Sequence, residues 1–343
     1  MNPATILQQI PTSIITCCDY HRNYLTRLQN DAPYYVKLWG HVLQQALRYL
    51  PKKKEQAHFF DFGCGQGLFG AYAKLIGWQE VSMMDMHQHC VENAQKICNH
   101  LEFPNVRVGY GKEEAVAEFF ETYRKPDVLV STDVIEHVYD IQKMLTQFKA
   151  ALPNTILVFT TGAIAENPLR SIHMKRLQWE DEWGETDALQ TSTDNPYAGM
   201  NFSMVRRKII ENASSHQSLP AEALEDLITR TRGQNKADIL SSVTNYLKDG
   251  TLPPIPSHPT NTCDPISSSW TERLLSISEY KKIFNSCGYQ IEIRPGYYND
   301  VSNSGIKRIS LKLLNNFVQF FGLPQYSAYL LMVAIPQSQN SKS

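Results

Sequence analysis

Apolar residues in this chain fall into short, nearly unbroken blocks, separated by stretches where they recur every three or four positions. Residues 58–62 (HFFDF), Glu80–Asp85, Val106–Tyr110, Pro126–Thr132 with its run Val128-Leu129-Val130, and Thr155–Thr161 (TILVFTT) are blocks of the length and composition of buried strands. Between them, Leu68–Ile76, His87–Leu101 and Ile141–Leu152 have helical spacing; Val91, Ala94, Ile97, Cys98 and Leu101 share one face of the second. Strand and helix alternating at this interval predict βαβ crossovers and a parallel sheet in an α/β fold.

The alternation stops after Gly162 and resumes near Trp270. Ile277–Cys287 then reads as a helix stopped by Gly288, Tyr289–Arg294 as a strand, and Ser327–Ile335 as a last strand reached through a long connection. Inside the interruption, Met200–Asn212 and Ala221–Leu247 are helical in period, whereas Gly250–Ser269 (GTLPPIPSHPTNTCDPISSS) is a Pro- and Ser-rich loop. An insertion after the fifth strand would sit over the carboxyl edge of the sheet, where open α/β folds bind ligands, so it is a candidate lid. The first 50 residues carry Tyr20, Tyr24, Tyr34, Tyr35, Trp39 and Tyr49 and are read as packing helices. The expected partition is a helical cap at 1–54, a nucleoside-binding core at 55–162, a helical lid at 163–269, the rest of the core at 270–336 and a disordered tail at 337–343.

Composition narrows the class only slightly. The chain has 343 residues, 42% hydrophobic and 20% charged, with a formal net charge of −1, so no overall charge draws it to nucleic acid or to an anionic surface. Seven cysteines, Cys17, Cys18, Cys64, Cys90, Cys98, Cys263 and Cys287, are scattered without a C-x-x-C pair and read as reduced thiols. The opening residues lack a basic segment followed by an apolar one, and no apolar run approaches bilayer length. A cytoplasmic protein without a membrane partner is expected; oligomeric state is left open.

The chemistry begins at Asp61-Phe62-Gly63-Cys64-Gly65-Gln66-Gly67, an acid at a strand tip followed by alternating glycines. Gly65-Gln66-Gly67-Leu68-Phe69-Gly70 also satisfies the dinucleotide pattern GxGxxG, with Asp85 at the distance of a ribose-binding acid. A carboxylate two residues before the first glycine would repel a pyrophosphate and attract an ammonium or a sulfonium. The acid-plus-glycines form resembles motif I of the class I S-adenosylmethionine (SAM) dependent methyltransferases. Asp133-Val134-Ile135-Glu136-His137-Val138, directly after the fourth strand, is similar to the post-strand-four motif of small-molecule methyltransferases, including the ubiquinone-biosynthesis O-methyltransferases. The resemblance implies a Rossmann-like seven-stranded sheet whose last strand runs antiparallel beside the fifth, with helices on both faces.

It also implies SAM as cofactor and assigns residues to it. Asp61, Gly63, Gly65 and Gly67 would frame the methionine moiety, Asp85 would accept the ribose hydroxyls, Met86 would lie on adenine, and Thr132 with Asp133 would line the region of the sulfonium. Where the family often shows Gly-Asp-Ala, this chain has Gly111-Lys112-Glu113-Glu114, and Glu113 takes the adenine contact. His137 is the candidate general base, or else a structural histidine that binds backbone and fixes the loop, with Asp133 as the second catalytic candidate; the expected acceptor is a small-molecule oxygen, with nitrogen and carbon acceptors also compatible, and His87 and His89 would flank the adenosine. Asp133-x-x-Glu136-His137 with His173 also resembles the metal-binding pattern of small-RNA 2′-O-methyltransferases, so a divalent ion and an RNA acceptor form the alternative reading, and a SAM-binding regulator without turnover is another. The near-neutral charge argues against nucleic acid. The cluster from Arg170 to Trp183, which includes Glu182, reads as a solvated mixed-charge helix face or, alternatively, as a recognition surface for an acceptor carrying a carboxylate or phosphate, and Tyr297 or Tyr298 as an acceptor contact.

Overall fold

His58–Phe62 form β1, buried from end to end, because a central parallel strand is covered on both faces and can carry side chains of one character throughout. The computed structural model describes residues 2–15, 17–185, 196–215 and 219–337, so the expected tail lies outside the described residues apart from Gln337. After helices α1 (Pro3–Gln8), α2 (Asp19–Asn30) and α3 (Ala32–Leu47), the chain alternates β1, α4 (Leu68–Leu75), β2 (Glu80–Asp85), α5 (Gln88–His100), β3 (Val106–Tyr110), the short α6 (Val116–Phe119), β4 (Val128–Thr132), α7 (Ile141–Ala151) and β5 (Ile156–Thr161). It then passes through α8 (Pro168–Trp183), α9 (Phe202–Ala213), α10 (Ala221–Arg230) and α11 (Lys236–Asp249) before α12 (Ile277–Ser286), β6 (Tyr289–Pro295), α13 (Gly305–Phe321) and β7 (Leu330–Pro336).

The seven strands make one sheet in the order β3-β2-β1-β4-β5-β7-β6. β1 to β5 pair in parallel, and β7 inserts antiparallel to β5, with Leu157 opposite Ala334 and Thr161 opposite Leu330. The order reverses between β1 and β4, and open α/β sheets bind ligands at the carboxyl ends of the strands beside that switch. The seven-stranded fold with its antiparallel last strand is the one the resemblance implies.

Contacts divide the chain into two units. The first comprises residues 1–135, 140–161 and 277–343; the second comprises Glu136–Tyr139 and Gly162–Ser276. In the first, Phe59, Val81, Met83, Val128, Val130 and Val158 belong to one core with Trp39 of α3, whose indole stacks on Phe69 of α4 at 5.4 Å. In the second, Val205, Ile209 and Ile210 of α9 pack with Leu227, Ile228, Ile239 and Val243 of α10 and α11.

The structure refines two of the expected stretches and corrects one reading. The periodic stretch Ala221–Leu247 is two helices, because Gly233 takes a positive φ of 79° against Trp270 and Asn235 restarts the chain as an N-cap, its side chain accepting from Asp238 N at 3.0 Å. The connection between the last two strands is mostly α13, a 17-residue helix closed by Gly322 in the left-handed region. Glu182 is not on a solvated face. It is fully buried, forms a two-oxygen ion pair with the buried Arg206, and accepts from Thr262 Oγ1 at 2.6 Å.

Candidate active site

The turn after β1 is built by glycines with different tasks. Gly63 has φ 73°, and a Cβ there would lie 2.5 Å from Val134 Cγ2, so the residue is required by the close approach of the segment after β4. Gly65 has φ 52°, yet a Cβ there would meet nothing within 4 Å, so its bare backbone faces open space where a ligand can approach. Gly67 opens α4 as its N-cap residue. Gln66 ties the turn to the N-terminal region, its Nε2 donating to His21 O at 2.6 Å.

A cavity of about 160 Å³ lies at this edge, lined by Asp61, Gly63 and Gly65 from the first turn, Thr132 and Asp133 from the end of β4, and Tyr24, Tyr35 and Trp39 from α2 and α3. A volume of this size is below the several hundred Å³ of sites that enclose a whole nucleoside-sized ligand. The remaining candidate residues continue along the strand ends. Asp85, at the tip of β2, accepts from Gly65 N at 2.8 Å with Oδ2 and from His87 N at 2.9 Å with Oδ1. Each carboxylate oxygen has a second lone pair, so a diol can still be received there. Met86 follows with 41% of its surface exposed, which leaves it available to a ligand face and excludes it from the core. Glu113 lies in the 3-10 turn Glu113–Ala115 after β3, and burial pushes its carboxyl above the usual range.

Electrostatics single out Asp61. Its side chain is 2% exposed and Oδ2 accepts from Gly70 N at 3.2 Å, in the first turn of α4. Burial, opposed by that hydrogen bond and aided by the charge of Asp85, pushes it up to about 8. Such a carboxyl is protonated at neutral pH until a cation arrives beside it. Burial likewise pushes Tyr24 up to about 12, so its phenol stays a neutral donor. Asp133 sits at φ 53°, a left-handed conformation that Asp tolerates better than most residues, and its N–H donates to Thr160 O at 3.1 Å.

His137 belongs to the second unit. Its Nδ1 lies 2.8 Å from Trp270 O, and its own carbonyl accepts from Trp270 N at 3.1 Å. A carbonyl only accepts, so Nδ1 carries a hydrogen, and in the neutral form of the ring Nε2 is the nitrogen with the lone pair. The ring borders a cavity of about 430 Å³ in that unit, together with Glu180, Asp181, Phe202, Trp270 and Thr271. Among the described residues the one group with converging metal-ligand atoms is Cys17, Cys18 and His21; Glu136, His137 and His173 do not form such a group. Tyr297 is 6% exposed, edge-on to Tyr329 at 5.7 Å, which makes it a packing residue of the first unit. Tyr24, Tyr35 and Trp39 were legible only as helix packing, and their place on the cavity wall comes from the tertiary structure.

The sequence profile of a methyltransferase domain family matches residues 34–198, the stretch that contains β1 to β5. No curated protein matches the chain. Among solved structures, the YcgJ protein of Bacillus subtilis is 14% identical over 87% of this chain and 99% of its own, with a TM-score of 0.39. A putative methyltransferase in complex with the Trm112 activator of Haloferax volcanii is 12% identical over 90% and 93%, with a TM-score of 0.43. The plantazolicin methyltransferase BpumL in complex with SAH is 13% identical over 97% and 95%, with a TM-score of 0.41. Residues 34–198 thus carry a methyltransferase domain, in a sheet whose last strand runs antiparallel to β5 and with an acid-and-glycine turn open to a ligand at Gly65.

Proposed function

We propose that this chain is a SAM-dependent methyltransferase acting on an oxygen of a small-molecule acceptor, by in-line displacement with His137 taking the hydroxyl proton. The observation that carries the reading is the Nδ1 hydrogen bond of His137 to Trp270 O, which leaves Nε2 as a basic nitrogen of fixed orientation. Bound SAM supplies a methyl group already activated by its sulfonium, so the protein's task is alignment and proton removal.

In this reading Asp61, Gly63, Gly65 and Gly67 hold the amino-acid end of the cofactor, Asp85 its ribose, Met86 and Glu113 its base, and Thr132 with Asp133 the region of the sulfur. The insertion at 163–269 is assigned to acceptor selection, because the groove beside His137 mixes the carboxylates of Glu180 and Asp181 with the rings of Phe202 and Trp270.

The test is release of S-adenosylhomocysteine (SAH) over a panel of phenols, carboxylic acids and amines. Hydroxyl acceptors are expected to turn over. His137→Asn, whose amide can still donate to Trp270 O, is expected to lower kcat by roughly 10²–10⁴-fold, with SAH affinity unchanged. Preference for amines, or a His137→Asn enzyme within a few-fold of wild type, would refute the assignment.

A further inference from the structure

Helix α13 is amphipathic the wrong way round for a helix docked on its own protein. Its inner face is anchored by polar groups: Asn315 accepts from Tyr298 N at 2.7 Å and donates to Tyr298 O at 2.9 Å, while Gln319 Nε2 donates to Pro295 O at 2.9 Å and Gly296 O at 3.0 Å. Val318, buried, is the one apolar residue on that face fully out of water. Ile306, Ile309, Leu313, Phe317 and Phe320 recur at intervals of three and four and therefore form one stripe. That stripe is open to solvent, with Ile306 84%, Leu313 65%, Phe317 53% and Phe320 83% exposed, and Phe321 widens it. Single exposed apolar side chains are ordinary, but a continuous row along about 21 Å of helix marks a surface that something covers.

Charge indicates what covers it. At about 100° per residue, Lys307 and Lys312 fall on the two borders of the stripe, Arg308 is exposed as well, and no acidic residue follows Asp300 anywhere in the chain. A second copy of α13 laid on the first would bring like charges together, which opposes self-association through this face. Apolar side chains flanked by cations match a surface with anionic headgroups over an apolar interior.

We propose that α13 lies in the plane of an anionic lipid surface, its Ile, Leu and Phe stripe among the acyl chains and Lys307 and Lys312 at the headgroups. The expectation of no membrane partner rested on the lack of a run long enough to cross a bilayer, and no helix among the described residues is long and apolar enough to do so; lying on a surface needs no crossing segment. The proposal is independent of the acceptor and of the role of His137.

The full chain is to be co-sedimented with large vesicles of phosphatidylcholine alone and of phosphatidylcholine with one quarter phosphatidylglycerol. Wild type is expected to pellet with the anionic vesicles at least tenfold more strongly than with the neutral ones. Lys307→Gln with Lys312→Gln is expected to weaken partitioning about 25-fold, about fivefold for each cation. Phe317→Ser with Phe320→Ser, both at exposed positions, is expected to abolish pelleting without changing the melting temperature. Equal pelleting with both vesicles, pelleting with neither, or pelleting untouched by both pairs of substitutions overturns the proposal. So does sedimentation velocity showing a dimer that the Phe pair dissolves in the absence of vesicle binding, which would assign the stripe to a second copy.

Discussion

Replacing Asp61 by asparagine tests the electrostatics of the cofactor turn directly. The carboxyl is buried at the end of β1 and pushed up to about 8 from an ordinary value of 3.8. Between those two values the folded protein holds a proton that the unfolded chain has released, so stability falls as pH rises. The Asp61 contribution is fully present below the unfolded value and is lost as pH passes the folded one. The slope is at most about 1.4 kcal/mol per pH unit, or roughly 2–3 kcal/mol between pH 6 and pH 8. The amide introduced by Asp61→Asn has no proton to lose and keeps an oxygen able to accept from Gly70 N, the partner Asp61 has at 3.2 Å. Urea titrations of both proteins from pH 5.5 to 8.5, without cofactor, isolate the effect, because other titrating groups cancel in the difference. Wild type is expected to lose stability relative to the Asp61→Asn variant across that range. With SAH the ranking reverses. Its ammonium favours ionised Asp61, so wild-type affinity is expected to rise from pH 6 to 8 and level off. The variant is expected to bind roughly 10–100-fold more weakly at pH 8, with little pH dependence from this group, the scale of a lost charge-assisted hydrogen bond. A stability difference between the two proteins that is constant with pH would refute the reasoning, since it would mean that Asp61 is not the proton carrier.

Gly63→Ala and Gly65→Ala are expected to separate fold from site. The first drives a methyl group to 2.5 Å from Val134 at a positive φ and is expected to cost about 2–4 kcal/mol in chemical denaturation. The second meets open space, so its stability cost is expected to stay near 1 kcal/mol while calorimetry shows SAH affinity down at least tenfold. Glu182→Ala, which leaves the 1%-exposed Arg206 guanidinium without its carboxylate, is expected to destabilise by about 3–5 kcal/mol in urea, and an effect under 1 kcal/mol would show that water reaches the pair.

The positions of several candidate residues at the strand ends were legible before folding because they follow from local rules. An acid at the tip of a buried strand and glycines at the turn can be read from residue type, and parallel alternation sends the ends of β1, β2 and β4 to one edge. Asp61, Asp85 and Thr132 therefore fall where strand periodicity puts them. What was not legible are meetings between distant segments. Glu182 is indistinguishable in sequence from its exposed neighbour Glu180, yet a partner 24 residues away buries it. The stripe of α13 was present as spacing, but a stripe read in isolation does not say whether it will be covered.

The amino-acid sequence by itself determined the alternation of strands and helices from β1 to β5, the α/β class and the acid-and-glycine turn, because backbone propensity and the burial of alternating elements act over a few residues at a time. Only the tertiary structure decided that Tyr24, Tyr35 and Trp39 wall the cavity, that Asp61 is dry enough to hold a proton, and that α13 turns its polar side inward. Desolvation and packing depend on which remote surfaces meet, and that information exists only once the chain has closed on itself.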